Sequence, residues 1–579
     1  MHRDLKSLAD TRFDVVIIGG GSFGAAAARA AALRGLRTAL VERADFGAGA
    51  SAECFKMVHG GIRYLQHADV VRARASARER SAFLRTAPHL VKPLPIAIPT
   101  YGHGRKGKLL LSAGMYAFDA LTLDRNRGIH DRERRIAGPE FLTRAQAKQL
   151  FPLIDDRGLT GAAVFEDGQM YNAARLVLAF VKSAVAAGAV ACNYVEATDF
   201  VIEADRVRGV EVRDRLTGST FTVKADLVLN AAGPWAEYLL RDRSRFGEWQ
   251  RGPFSRDAYF IIDRAPTSKY ALAVSGLSKD QDAVLGRATR HLFLVPWRDK
   301  TLVGVWHRLF PQHPETAHIE DAELQQWLDE LNAVNPELKL KRDEITFGNC
   351  GLVPFGEHAD EHSMQFGKES RFIDHRKTHG LGGLVTLIGI RYTMARADGE
   401  RALNMLLQQR EQRPKHVDTT MIPLAGGAIE NVAALKARAR ALHPELEVAA
   451  IDSLIHNHGT EYAHVVDLCT ANPLLRERAP NSSVLAAEID YAVRAEMAVH
   501  LDDVVLRRTD LSGHDHPGAQ ALDFAAKHMA ALLKWSPQRT AEELAATRAI
   551  LAQHHAKDRR ATGRNDAASA GSMLAQLSA

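Results

Sequence analysis

Short aliphatic runs that end in glycine and lead into helical stretches set the pattern of the first part of the chain. Phe13-Asp14-Val15-Val16-Ile17-Ile18 reads as a buried parallel strand, because nearly continuous apolar character is what a strand covered on both faces requires. Gly19-Gly20-Gly21-Ser22-Phe23-Gly24 then opens an alanine-rich stretch from Ala25 to Arg34, with Gly35 at its expected C-terminal end. Leu36 to Val41 supplies the next strand and carries Glu42 at its end, which completes one βαβ unit.

Residues 68–160 read mostly as helices and loops, including Glu79 to Thr86 and the apolar stretch Leu109 to Leu123. Further on, Ala173 to Ala187 has helical periodicity, Val201 to Arg213 alternates like a hairpin, and Ala225 to Asn230 is a buried strand ahead of Ala231-Ala232-Gly233-Pro234-Trp235. Strand candidates recurring between Tyr259 and Trp306 predict an antiparallel sheet of a second domain, and Leu384 to Ile390 is again a buried strand followed by a helix. Past Gly427 the strands stop, and Val432 to about Gln553 reads as successive helices, one of them Glu488 to Leu506. The predicted organisation is a discontinuous nucleotide-binding domain (1–67, 161–245 and 346–426), helical and substrate-domain segments (68–160 and 246–345), a helical C-terminal domain (427–553) and a flexible tail (554–579).

Each glycine of the Gly19, Gly21, Gly24 spacing has a physical reason. The first permits a tight turn, the second lets the backbone approach a pyrophosphate, and the third lets helix and strand pack closely. Glu42 stands at the distance expected of an acid that accepts both ribose hydroxyls. A flavoprotein returns to the same nucleotide with later segments, and the turns at Ala231 to Trp235 and Gly389-Ile390-Arg391-Tyr392-Thr393 are spaced as such returns. The α/β class is therefore a Rossmann-like, FAD-binding domain interleaved with an antiparallel substrate sheet and followed by an all-helical domain.

The block Lys56-Met57-Val58-His59-Gly60-Gly61-Ile62-Arg63-Tyr64-Leu65 resembles the SKLIHGGLRYL block of the FAD-dependent glycerol-3-phosphate dehydrogenases of respiratory or oxidase type. The similarity continues through Ala87-Pro88-His89-Leu90, Ala174 to Ala179, Asn230 to Trp235, and Glu496-Met497-Ala498 to Thr509, so it spans nearly the whole chain. It implies a flavin fold of the glutathione-reductase or amino-acid-oxidase type, FAD as cofactor, and oxidation of a secondary alcohol with electrons passed to quinone or oxygen. By the same resemblance, His59 is the candidate base or flavin contact, Arg63 an anion contact, Tyr64 a hydroxyl donor, and Arg391 a cation standing where the family has lysine. The cofactor set it implies is Gly19, Gly21, Ser22, Phe23, Gly24, Glu42, Arg43, Ser51, Lys56, His59, Val195, Ala232, Gly233, Trp235, Gly389, Arg391, Tyr392 and Thr393.

The chain departs from the family along the substrate wall. Val353 replaces the arginine of SGVRPL, Val305-Trp306-His307-Arg308-Leu309-Phe310 replaces TTDVEY, Asn172-Ala173-Ala174-Arg175-Leu176 replaces DDARL, and Asp257-Ala258-Tyr259 falls on GSH. Tyr259, His307, Arg308 and Val353 are accordingly the substrate-pocket candidates, with Arg308 or Arg391 placed to compensate for the missing guanidinium. Two other readings stay open: a paralogue acting on a bulkier or less charged alcohol, hydroxy acid or amine, and a flavin-binding regulatory subunit without turnover.

Composition narrows the partners. The 579 residues carry 75 Lys and Arg against 69 Asp and Glu, a net charge of +6 that is too small for its length to name a polyanionic partner, and no nucleic-acid motif accompanies it. Four cysteines without a paired spacing suggest neither disulfides nor a zinc site, so no metal is expected and a reducing, cytoplasmic compartment fits. No apolar run is long enough to span a bilayer, but Arg105-Lys106-Gly107-Lys108-Leu109-Leu110-Leu111 with Met115, Tyr116 and Phe118 suits an interfacial helix, which makes peripheral contact with the inner membrane face a candidate. A homodimer is a further candidate association.

Overall fold

The computed structural model describes residues 1–67, 69–102, 108–241, 246, 254–279, 289–354, 370–411, 414–513 and 515–555. The expected basic segment at Arg105-Lys106-Gly107 and nearly all of the expected tail lie outside the described residues.

Two sheets organise the chain. In the first, Phe13–Ile18 pairs in parallel with Thr38–Val41 on one side and with Thr220–Asn230 on the other; Val190–Cys192 extends one edge, and Leu384–Ile388 and Arg371–Asp374 extend the other. Val195–Glu203 and Arg206–Asp214 form an antiparallel extension on Thr220–Asn230. The helix Ser22–Leu33 lies between Ala173–Ala186 and Ala395–Leu407. Small residues let it do so: a Cβ at Gly399 would meet the Phe23 carbonyl at 2.7 Å and the Ala27 nitrogen at 3.0 Å.

The second, nine-stranded sheet runs in the order Ile345–Pro354, Phe254–Ile262, Lys300–Phe310, Thr289–Trp297, Ala271–Lys279, Val91–Tyr101, Leu159–Met170, Met57–Val58, with Glu140–Thr143 beside Leu159–Met170. The expected boundaries at 161 and 346 therefore fall inside strands of this sheet. Val91–Tyr101, read from sequence as helix and loop, is one of its longer strands. Its prolines hid it. Pro93, Pro95 and Pro99 fall on alternate residues, so their missing N–H groups share one edge; the other edge pairs with Leu159–Met170 along the whole strand, and the proline edge pairs only at Ile96 and Ala97.

From Val432 onward the chain is helical to His554. The helix expected from Glu488 to Leu506 is broken: Ala486–Ala495 ends, Met497 takes φ +58°, and a π-type turn Asp503–Arg508 follows. The break has an electrostatic cause. The buried Glu496 carboxylate binds Arg175 and Lys182, the Glu496 carbonyl accepts from Arg508, and Asp503 accepts from the N–H groups of Val499 and His500. Arg507 and Arg508 converge on Asp45 of the nucleotide domain, a fully buried carboxylate that fastens the helical domain to the loop after the strand Thr38–Val41.

Candidate active site

Between the sheets lies a cavity of about 1040 Å³. Its nucleotide side is built by the glycine turn. Gly19 has φ +103°, and a Cβ there would sit 2.5 Å from the Ala231 carbonyl oxygen, which brings the first turn against the second return segment. Gly24 faces inward rather than toward the cavity: its Cβ would stand 1.9 Å from the Gly19 carbonyl oxygen, so it serves helix-to-strand packing.

Glu42 lines the cavity, but each of its oxygens already accepts a backbone N–H, from Gly20 at 2.6 Å and from Ala44 at 2.8 Å. Burial raises its carboxyl above the ordinary range. The acid thus fixes the glycine turn as well as facing the ligand space. Ser51 accepts from the Ser22 N–H at 3.0 Å, and the Val195 N–H donates to the Glu42 carbonyl at 2.7 Å. Arg43 lies over the Trp235 ring at 5.0 Å, and the buried Trp235 Nε1 has no hydrogen-bond partner while its ring lines the cavity. Phe23, Ala232, Gly233, Gly389, Tyr392 and Thr393 line it too, with Phe23 packed so tightly on Gly389 that a Cβ there would meet its ring at 2.2 Å. This glycine cradle and the unpartnered indole N–H fit a dinucleotide.

The loop Val58–Gly61 brings His59 to the cavity. Its backbone N–H donates to Thr393 Oγ1 at 2.9 Å, and its Nδ1 lies 3.1 Å from Asp167 Oδ2. Asp167 is held in turn by the Gly60 N–H and by Arg80 at 3.2 Å, and a Cβ at Gly60 would meet Arg80 Nη1 at 2.1 Å, so a side chain there would have to displace that guanidinium. Arg391 Nη1 donates to the Tyr64 hydroxyl at 2.9 Å and to Ser76 Oγ at 3.0 Å. Arg72 and Arg391 both lie near the Tyr64 ring, at 5.2 and 5.1 Å, and Arg63 lines the same wall.

The substrate sheet supplies Tyr259, His307 and Val353, with Phe293, Val305 and Leu352 making much of that wall apolar. Burial pushes the Tyr259 phenol far up. His307 Nδ1 lies 2.7 Å from Asp257 Oδ1, which also accepts the Ser255 hydroxyl at 2.6 Å.

Besides Gly24, two expected residues do not reach the cavity. Lys56 has φ +60°, which turns its side chain under the site toward Ala52 and the Trp297 ring. Arg308 follows His307 on one strand and therefore faces the other way, pairing with Glu323 and Gln326. It cannot stand in for the guanidinium missing at Val353. Asp167, Arg72, Ser76 and the Asp257 partnership went unread, because each depends on sheet register or on a neighbouring helix.

Residues 14–391 match the family model described as FAD dependent oxidoreductase, and residues 417–540 match the C-terminal domain of alpha-glycerophosphate oxidase. The chain is 29% identical over 520 residues to a glycerol-3-phosphate dehydrogenase of Synechocystis sp., covering 88% of this chain and 91% of that protein. It is 26% identical over 547 residues to an aerobic glycerol-3-phosphate dehydrogenase of Staphylococcus haemolyticus, covering 92% and 93%. The solved glycerol-3-phosphate dehydrogenase of Bacillus halodurans complexed with FAD shares the fold with TM-score 0.73 at 23% identity, covering 95% and 96%. With the glycine cradle in place and well over half of its length inside the first of these models, the chain belongs to the FAD-dependent oxidoreductase family.

Proposed function

We propose that the protein oxidises glycerol 3-phosphate, or a closely similar phosphorylated secondary alcohol, to the ketone. The observation that carries this reading is the Arg63, Arg72 and Arg391 wall around Tyr64, in the same cavity as the His59–Asp167 pair. Guanidinium groups suit the planar recognition of phosphate oxygens, and one charge-assisted contact contributes on the order of 1.5–3 kcal/mol. The similarity to relatives named glycerol-3-phosphate dehydrogenase supports the same substrate.

Gly19, Gly21, Ser22 and Ser51 would hold the pyrophosphate of FAD. Glu42, Arg43, Val195 and Trp235 would frame one end of the cofactor, and Phe23, Ala232, Gly233, Gly389, Tyr392 and Thr393 the remainder toward His59. Bound FAD supplies the acceptor for the hydride that leaves the substrate carbon. His59 takes the hydroxyl proton as that hydride departs, while Asp167, fixed by Gly60 and Arg80, orients the ring and stabilises the imidazolium. Arg391, fastened to Tyr64 and Ser76, holds the anion, and the apolar wall of Phe293, Val305 and Val353 limits water.

Electrons then pass to quinone or oxygen. No helix among the described residues is long and apolar enough to cross a membrane. Val71 and Tyr116, 80% and 58% exposed on the helices Val70–Thr86 and Lys108–Leu121, support peripheral contact with a lipid surface when quinone is the acceptor. Flotation with liposomes tests the contact, and recovery of all protein in the lipid-free fraction counts against it.

Product analysis tests the substrate. One equivalent of dihydroxyacetone phosphate should form per flavin reduced anaerobically by glycerol 3-phosphate; absence of that product refutes the reading.

A further inference from the structure

Away from the cavity, cations from a turn, a strand and a helix gather without an anion. The turn Arg132–Arg134 lies against the strand Val91–Tyr101. Arg134 is 8% exposed, and among the described residues its guanidinium makes no hydrogen bond or ion pair; its Nε is buried without a partner. Lys92, exposed on that strand, likewise has no acceptor for its ammonium among the described residues. The third cation is Lys436 on the helix Val432–Leu442, whose ammonium donates to His456 Nε2 at 2.8 Å and lies 3.4 Å from Asp452, with one N–H left over.

The acids nearby are committed elsewhere. Asp131 accepts from the N–H groups of Glu133 and Val432 at 3.0 Å each and from Asn431 Nδ2 at 3.2 Å, which fastens the turn to the start of the helix that carries Lys436. Asp452 is held through both oxygens by Arg440, and Glu133 is exposed. Desolvation, with Arg134 and Lys436 close by, lowers the Lys92 ammonium, and burial lowers Arg134 in spite of Asp131 and Glu133. Arginine is rarely buried unless it is paired, and an orphaned buried donor calls for a group to meet it. A planar fork and two ammonium groups presented by different elements suit a tetrahedral oxyanion better than a flat carboxylate, which one guanidinium satisfies alone.

We propose that Arg134, Lys92 and Lys436 form a second anion site, for a phosphate group, where the strand Val91–Tyr101 meets the helical C-terminal domain. None of the three lines the active-site cavity, so the inference stands apart from the substrate reading above. A bound ion bridges turn, strand and helix and so ties the helical domain to the substrate sheet.

The test is titration calorimetry of the FAD-loaded protein with inorganic phosphate, at constant ionic strength in chloride. The wild type should bind saturably. Arg134→Gln should weaken that binding about tenfold or more, the loss of one charge-assisted contact, and Lys92→Gln about threefold; the exposed Lys92 change decides the matter if Arg134→Gln does not fold. Arg391→Ala, which removes a cation from the active-site wall, should keep the affinity of this site within about twofold. Acetate should bind about tenfold more weakly than phosphate. Methyl phosphate separates the sources: binding as tight as that of inorganic phosphate fits a phosphate ester with its arm toward solvent, and weaker binding fits the free ion. No saturable binding by the wild type overturns the proposal, as does affinity undiminished in Arg134→Gln or Lys92→Gln. So does affinity lost in Arg391→Ala, which places the ion in the active site, or acetate bound as tightly as phosphate.

Discussion

Nδ1 of His59 lies 3.1 Å from Oδ2 of Asp167, although 108 positions separate them in the chain. One stands in a glycine-rich loop and the other on the strand Leu159–Met170, and the antiparallel pairing of Met57–Val58 with Gly168 and Gln169 brings them together. His59→Asn should slow anaerobic flavin reduction about 10²–10⁴-fold, the range expected when a positioned base is lost. Asp167→Asn should slow it less. Both should keep their FAD, measured as the ratio of flavin to protein absorbance; release of FAD would show that the pair is structural.

Arg391→Ala should raise KM for a phosphorylated alcohol about 10–100-fold, the equivalent of one lost charge-assisted contact. Arg391→Lys keeps the charge, but a compact ammonium cannot span Tyr64 and Ser76 as the planar fork does, so it should recover only part of that loss. Steady-state kinetics separate the two outcomes.

Gly24→Ala should give a protein without flavin. The added methyl would stand 1.9 Å from the Gly19 carbonyl oxygen, and backbone at that distance can relieve the clash only by opening the turn. Gly35→Ala is the contrast. Gly35 has no atom within 4 Å of its Cβ, though its φ of +77° makes the change mildly strained, and FAD content should stay near that of the wild type.

Much of the nucleotide side was legible because its signals are local. A β-branched run such as Val15 to Ile18, glycines at fixed offsets and an alanine helix each carry their meaning in neighbouring residues. What stayed hidden is set across the fold. The strand Val91–Tyr101 was disguised by prolines that are tolerated only because one strand edge is mostly unpaired. Sheet register brings Asp167 and Asp257 to their imidazole partners, while backbone direction turns Lys56 and Arg308 away from the cavity.

Stability should depend on pH through the buried groups between the nucleotide and helical domains. Burial pushes Glu488 up to about 8, so its favourable contribution is complete below its ordinary value of 4.5 and is lost as pH rises through about 8. Burial, reinforced by Arg175, pushes His89 down to about 3; its contribution is complete above 6.5 and is lost as pH falls through about 3. Glu488→Gln should therefore raise Tm at pH 8.5 relative to pH 5.5, by on the order of 2 °C, as differential scanning calorimetry would show.

Asp45→Asn should destabilise the protein by about 3–5 kcal/mol, because it leaves the buried Arg508 without its carboxylate, whereas Arg507 keeps Asp502 and Asp503. Urea denaturation measures the loss.

Rapid anaerobic mixing of the oxidised, FAD-loaded protein with glycerol 3-phosphate tests the account most directly. The visible flavin band should bleach fully within a single turnover, and glycerol at the same concentration should leave it nearly unchanged, because the guanidinium wall has no anion to hold. A band that persists with glycerol 3-phosphate yet bleaches with dithionite, or that bleaches equally fast with glycerol, would contradict it.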